Sequence, residues 1–318
     1  MSSSAKVAVI DVGSNSIKLL VARQGSHPGT IDTCFVETIE TRISAGISKT
    51  LPSLTDEAMK KGCATIVELL RLAHQYEPAQ VTIVATSAVR DAINGMDFTT
   101  MVEDVTGFKI RVLKGTEEAT YIGRGLACDP HVAGIRDFIQ MDIGGGSLEL
   151  IRFHNAAIEQ AISLQLGAVR LTERFIENRD ATVSEVTEQA IRAHVTETIR
   201  QAGFSFEPQQ LPLLVTGGAF VISRAMLAFQ QSKDIEAIPP VLRLEDINRL
   251  KAELCQMPLH ERMAVPHLPA SRADIIPTAL ITIEAVLRTA RRTELTHSFY
   301  NLRYGIAAEL LQGTNPNA

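Results

Sequence analysis

Phe138–Phe153 reads FIQMDIGGGSLELIRF. An apolar run ends in an aspartate, three glycines and a serine follow, and a second apolar run carries Glu149. Two strands joined by a glycine turn have this pattern. So does a loop whose bare amides wrap a phosphate, because glycine lets main chain approach an anion without Cβ interference. Taken alone, the stretch favours the plain hairpin.

The same phrase opens the chain. Val9–Ala22 reads VIDVGSNSIKLLVA; with Asp11 laid on Asp142, Gly13 falls on Gly144, Ser16 on Ser147 and Lys18 on Glu149. Copies this far apart point to a duplicated domain rather than a solenoid. Two matching Asp-x-Gly-x-x-Ser turns predict two halves presenting their turns to one ligand, a shared phosphate site in place of two unrelated hairpins.

The 318 residues suffice for two domains with their own cores. Hydrophobic residues at 45% and charged residues at 21% are ordinary for a globular chain. Met1–Lys6 leads into a strand-like run rather than a signal peptide, and no apolar run reaches the ~18 residues that span a bilayer. Cys34, Cys63, Cys128 and Cys255 lie far apart with no CxxC pair, which argues against a disulfide framework or zinc knuckle and fits a reducing, cytoplasmic setting. The histidines show no HExxH-type spacing, so none is assigned to metal. A net charge of −5 supplies no general field for a polyanion. A phosphate chain would have to be held locally by amides, a metal ion and a few Arg or Lys side chains. Without a basic stripe or a tryptophan, sequence-specific nucleic-acid binding is not expected. Whether the chain forms a homodimer is left open.

In order, Val7–Val12, Ile17–Ala22 and Ile31–Ile39 read as a three-strand meander, followed by a loop containing Gly46, Pro52 and Ser53. Thr55 caps a helix in which Met59, Cys63, Ile66, Val67, Leu70 and Ala73 share one face, with Glu77-Pro78 as its stop. Val81–Thr86 is a strand, Phe98–Thr106 a helix, Lys109–Leu113 a strand, and a helix runs from Gly115 toward Leu126. After the second hairpin come a strand over Ala156–Leu166 and a helix opened by a Thr182–Glu185 capping box. A short strand Leu213–Val215 ends at Thr216-Gly217-Gly218, and helices cover Leu244–Leu254, Thr278–Thr289 and Gly305–Leu311. The alternation gives an α/β fold of two similar lobes.

Asp11–Ser16 and Asp142–Ser147 together resemble the two phosphate motifs of the exopolyphosphatase/guanosine pentaphosphate phosphatase (Ppx/GppA) family, part of the actin-like, sugar-kinase and Hsp70-like ATPase superfamily. Thr86–Asp91 is similar to that family's Thr-x-Ala-x-Arg segment, and Gly115–Ala119 to its Gly-x-Glu-Glu-Ala segment. Leu166–Leu171 and Arg272–Pro277 also correspond, so the resemblance covers Val7–Leu311. It implies two actin-like (ribonuclease H-like) lobes with a ligand cleft between them. Residues 1–123, completed by a C-terminal helix 303–318, would form the first lobe and 124–302 the second. Asn301-Leu302-Arg303-Tyr304-Gly305 departs from the usual Gly-Leu-Arg-Glu-Gly-type ending, which puts roles of its missing glycine and glutamate in doubt. Longer members continue into an HD-type helical region, and this sequence ends before one.

The implied activity is exopolyphosphatase, hydrolysing terminal phosphate from inorganic polyphosphate with Mg²⁺ or another divalent cation. The alternative is 5′-phosphohydrolysis of guanosine pentaphosphate (pppGpp). An ATP-dependent sugar or acetate-type kinase would leave Arg90 and the Glu117-Glu118 segment unexplained. A non-catalytic polyphosphate or alarmone sensor would not need the hydrolytic residues. Hydrolysis requires donors for phosphate oxygens, an aligned water and an acceptor for its proton. Gly13, Ser14, Asn15, Ser16, Gly144, Gly145, Gly146 and Ser147 offer the donors. Asp142 and Glu149, with Asp11 as the matching acid of the first copy, offer the hard oxygen ligands that Mg²⁺ prefers. Either aspartate could instead simply cap its own turn. Composition and spacing do not separate Glu117 from Glu118, since acids suit the first turn of any helix. The resemblance implies Glu118 as the catalytic base. Arg90, directly after a strand, can aim its guanidinium at phosphate oxygens. Lys114, Arg124 and Arg170 are weaker candidates for a basic track serving a longer chain.

Overall fold

The computed structural model describes residues 5–27, 29–44, 51–132 and 134–313; Gly46 of the expected loop and residues 314–318 of the expected C-terminal helix lie outside them. The chain forms two compact units, Met1–Ile135 with Tyr300–Ala318, and Arg136–Phe299. The division falls at 135/136 and 299/300 instead of 123/124 and 302/303, and the helix Gly115–Ala127 runs unbroken through Gly123 and Arg124.

Unit 1 starts with the antiparallel meander β1 (Lys6–Val12), β2 (Ser16–Gln24) and β3 (Ile31–Glu40). Then follow α1 (Asp56–His74), β4 (Gln80–Ala85), the single turn α2 (Ser87–Arg90), α3 (Gly95–Thr106), β5 (Ile110–Val112) and α4 (Gly115–Ala127). The sheet order is β3-β2-β1-β4-β5, with β4 and β5 parallel to β1. Strand alternation sends Ala8, Ile10 and Val12 to one face, where they pack with Ile66 and Leu69 of α1 and Phe98 of α3. Val7 and Val9 go to the other, against Tyr121 and Ile122 of α4 and Ile306 of the last helix. As expected, the Thr55 hydroxyl accepts from Ala58 N at 3.1 Å and starts α1.

Unit 2 repeats the plan. It contains β6 (Phe138–Ile143), β7 (Leu148–His154), β8 (Ala157–Leu164), α5 (Ala168–Phe175), α6 (Glu185–Gln201), β9 (Leu213–Thr216) and α7 (Gly218–Gln230). β10 (Val241–Arg243), α8 (Leu244–Gln256), α9 (Leu259–Arg262), α10 (Ile276–Thr289) and β11 (Glu294–His297) complete it. α11 (Leu302–Gly313) returns to unit 1. Read from β8, the order is β8-β7-β6-β9-β11-β10, which is the unit 1 pattern with one extra antiparallel edge strand. Ile139, Met141 and Ile143 face a core shared with α6, α7, α8 and α10. The cap of α6 is Ser184, accepting from Thr187 N at 3.1 Å, in place of Thr182 from the expected capping box. The short strands β10 and β11 and the helix α5 have no counterpart in the sequence reading. At three to eight residues they carry too few turns or alternations to announce themselves.

His297 of β11 is buried, with its ring centroid 6.4 Å from that of Phe220 and 4.8 Å from that of Phe299. Arg224 Nη1 donates to its Nδ1 at 3.1 Å, so the Nε2–H tautomer is selected. Burial first, and the Arg224 charge second, push its pKa from 6.5 down to about 3. Unfolded chains therefore bind a proton here that the native state refuses, and this contribution to stability is full above pH 6.5 and is lost as pH falls toward 3. His297→Asn is expected to flatten the stability–pH curve by up to about 1.4 kcal/mol per pH unit in that window, read by urea unfolding. An unchanged slope would exclude His297 as the titrating group.

Candidate active site

Both glycine turns are hairpin turns closed by one bond, Gly13 N to Ser16 O at 3.1 Å and Gly144 N to Ser147 O at 3.0 Å. Those two amides are thus committed to the turns. Each turn is braced from outside. In unit 1, Thr41 N and Arg42 N donate to Asn15 O, and Ser44 donates to Ser14 O through both N and Oγ. The Asn15 amide donates to Glu40 and accepts from Arg42 Nε, and the Ser14 hydroxyl meets Ser87 Oγ at 3.1 Å. In unit 2, Ala168 N donates to Gly144 O and Val169 N to Gly145 O, while Arg170 Nε reaches Gly146 O at 3.0 Å. Arg170 is buried there, a brace rather than part of a basic track. Arg124 pairs with Glu309, and Lys114 starts α4.

Strand register aligns the acids. Asp142 on β6 stands opposite Glu149 on β7, Glu149 opposite Ser163 on β8, and Asp142 opposite Thr216 on β9. Cross-strand partners project to the same face. One polar row, Thr216–Asp142–Glu149–Ser163, therefore crosses four strands. Its outer hydroxyls serve its inner carboxylates: Thr216 Oγ1 donates to Asp142 Oδ2 at 2.5 Å and Ser163 Oγ to Glu149 Oε1 at 2.8 Å. Glu149 is 2% exposed. In unit 1 the same row reads Val84–Asp11–Lys18–Thr38. One acid of the pair has become a lysine, and the threonine a valine. Asp11 is half-buried, but its Oδ1 is shielded and has no hydrogen-bond partner. Burial raises its pKa, and the Lys18 and Arg303 charges oppose that rise.

Glu117 and Glu118 are separated by their surroundings. Glu117 accepts from Lys114 N at 3.0 Å and from Arg111 at 2.7 Å, and these bonds, led by the backbone one, lower its pKa. It closes the first turn of α4. Glu118 is 7% exposed, and Arg90 Nη1 donates to its Oε2 at 2.8 Å and to Leu113 O at 3.1 Å. Arg90 also lies 3.5 Å from Asp91.

A sequence model of the Ppx/GppA phosphatase family matches residues 20–313. The chain belongs to that family. As a member it is a hydrolase of phosphoanhydride bonds. The fold is similar to that of an exopolyphosphatase from Cytophaga hutchinsonii, at 25% identity and TM-score 0.87, covering 98% of this chain and 99% of that one. It is also similar to the Aquifex aeolicus Ppx/GppA family member, at 21% identity and TM-score 0.77, covering 98% and 100%.

Beyond the roles assigned from sequence, this Ppx/GppA chain places Arg42 on the first turn and Thr216 and Ser163 on the acids beside the second. The Arg272 guanidinium lies against Gly218 at the start of α7, and a Cβ there would have to displace it. Arg272 stood in a segment already matched to the family. Thr216 stood in the Thr216-Gly217-Gly218 turn after a predicted strand, whereas its place beside Asp142, and that of Ser163 beside Glu149, follow from strand register, which no local pattern reveals. Gly217 joins β9 to α7 at φ +120, and a Cβ would come within 2.8 Å of Ile143 O and 3.1 Å of Asp142 Oδ1. Among the described residues no group of three or more His, Cys, Asp or Glu forms a metal cage. No helix among them is long and apolar enough to cross a membrane.

Gly217→Ala is expected to cost about 1–3 kcal/mol in denaturant unfolding and to lower phosphatase turnover by displacing Asp142. Gly203→Ala, at φ +65 with open space around it, is expected to cost less and to leave turnover unchanged. Equal losses in both variants would show that backbone strain alone matters at position 217.

Proposed function

We propose that the chain hydrolyses the terminal phosphate of inorganic polyphosphate. The observation that carries this reading is the adjacent Asp142–Glu149 pair beside a glycine turn, a donor set suited to a hard divalent cation on a phosphate chain. Mg²⁺ commonly takes one or two carboxylates and completes its shell with water and substrate oxygens, so the pair fits without a third acid. When bound, the ion would neutralise phosphate oxygens as charge shifts toward the leaving group. The turn amides not used for closure, with Ser16 and Ser147, are assigned to the remaining oxygens. Glu118 accepts the proton of the attacking water, and Arg90 fixes its carboxylate while adding positive charge for the phosphate. The likeness to an exopolyphosphatase supports polyphosphate as substrate over pppGpp.

Phosphate release with Mg²⁺ is to be measured separately on polyphosphate and on pppGpp. Turnover of the nucleotide alone would replace this substrate assignment, and tight binding of either without release would favour a sensor. Glu118→Gln is expected to lower kcat by about 10²–10⁴-fold with KM little changed. Arg90→Ala is expected to raise KM and lower kcat together, because one side chain both attracts phosphate and holds the base. A Glu118→Gln variant with ordinary turnover would remove Glu118 from the mechanism.

A further inference from the structure

The two copies of the aspartate turn differ in what lies under the acid. Asp142 has a hydroxyl on one side and a second carboxylate on the other. Asp11 has the apolar Val84 on one side and Lys18 on the other. It shares a sheet face with Val7 and Val9, the face that α4 and α11 cover. α11 brings Arg303 to that face: Arg303 is buried, its Nη1 donates to Leu19 O at 2.9 Å, and its Nε is buried without a hydrogen-bond partner. α11 docks closely. Gly305 has no room for a Cβ against Tyr121 O of α4, and the Tyr304 hydroxyl lies 3.0 Å from Thr33 Oγ1 on β3. The arginine is thus delivered to one place in unit 1, and its charge acts on Asp11.

A carboxylate with one oxygen shielded from water, opposite Lys18 and under the charge of Arg303, is electrostatically satisfied for folding and poorly suited to a divalent ion, which would add a third positive charge. We propose that Asp11 is the buried counter-ion of Arg303 and not a metal ligand, so that the C-terminal helix sets the charge beneath the first phosphate turn. This rests on the assignment of the metal to Asp142 and Glu149, and it divides the duplicated motif by role. The unit 2 copy gathers negative charge for a cation; the unit 1 copy balances its acid internally and leaves its turn to the anion. The family-type ending is kept here at the one residue this role needs, Arg303, while its glutamate position is Tyr304, which serves packing.

A double-variant cycle tests the pairing. Thermal unfolding of Arg303→Met, Asp11→Asn and the double variant is measured in chelator without substrate, so the result stands whether or not phosphate is released. Arg303→Met is expected to lower Tm, or to give no folded protein, and the double variant to regain stability over it, because the carboxylate that Arg303 helped to balance is neutralised with it. The Mg²⁺ concentration for half-maximal phosphate release is expected to shift less than about tenfold in the double variant and at least about tenfold in Asp142→Asn. A double variant no more stable than Arg303→Met overturns the pairing. A Mg²⁺ requirement raised as far as in Asp142→Asn returns Asp11 to the metal.

Discussion

Asp142 and Glu149 face one another across a single rung of the β6–β7 hairpin, and like charges on one rung repel unless something shares them. Much of unit 2 near the turn follows from that constraint. Thr216 and Ser163 stand at the two ends of the row, and each donates to the carboxylate beside it. The glycine turn follows directly after Asp142, so the acid pair sits beside backbone able to approach an anion. Gly217 is required where β9 passes so near Asp142 that a side chain would intrude.

The corresponding rung of unit 1 is neutral, Asp11 against Lys18, with Arg303 supplied from the far end of the chain. The two hairpins are alike in backbone, and a few differences along one row make them unlike in charge. The same economy marks α4. Glu117 spends its carboxylate on the helix start, which leaves Glu118 as the acid that Arg90 holds against the strand ends.

The glycine turns are legible from sequence because a turn needs particular residues at particular local positions, and the repeat of Asp-x-Gly-x-x-Ser is a local pattern seen twice. The meander, α1 with its Thr55 cap and the strand before Arg90 are legible for the same reason: alternation, helical spacing and caps operate within a few residues. Short β10 and β11, of three and four residues, fall below that resolution. The capping residue of α6 lies two positions beyond the expected Thr182, because Thr182 and Ser184 are both good caps and residue type does not choose between them.

What the sequence by itself determined is the duplicated α/β plan, the two glycine turns and the acids beside them. These depend on backbone chemistry that each residue carries into any context. Tertiary structure alone decided the surroundings of each acid. Strand pairing set Thr216 beside Asp142 and Ser163 beside Glu149, helix docking set Arg303 on Leu19 O of β2, and the turn of α2 set Arg90 on Glu118 rather than Glu117. Charge acts through space, and in this chain most of the neighbours that tune each carboxylate come from distant parts of the sequence.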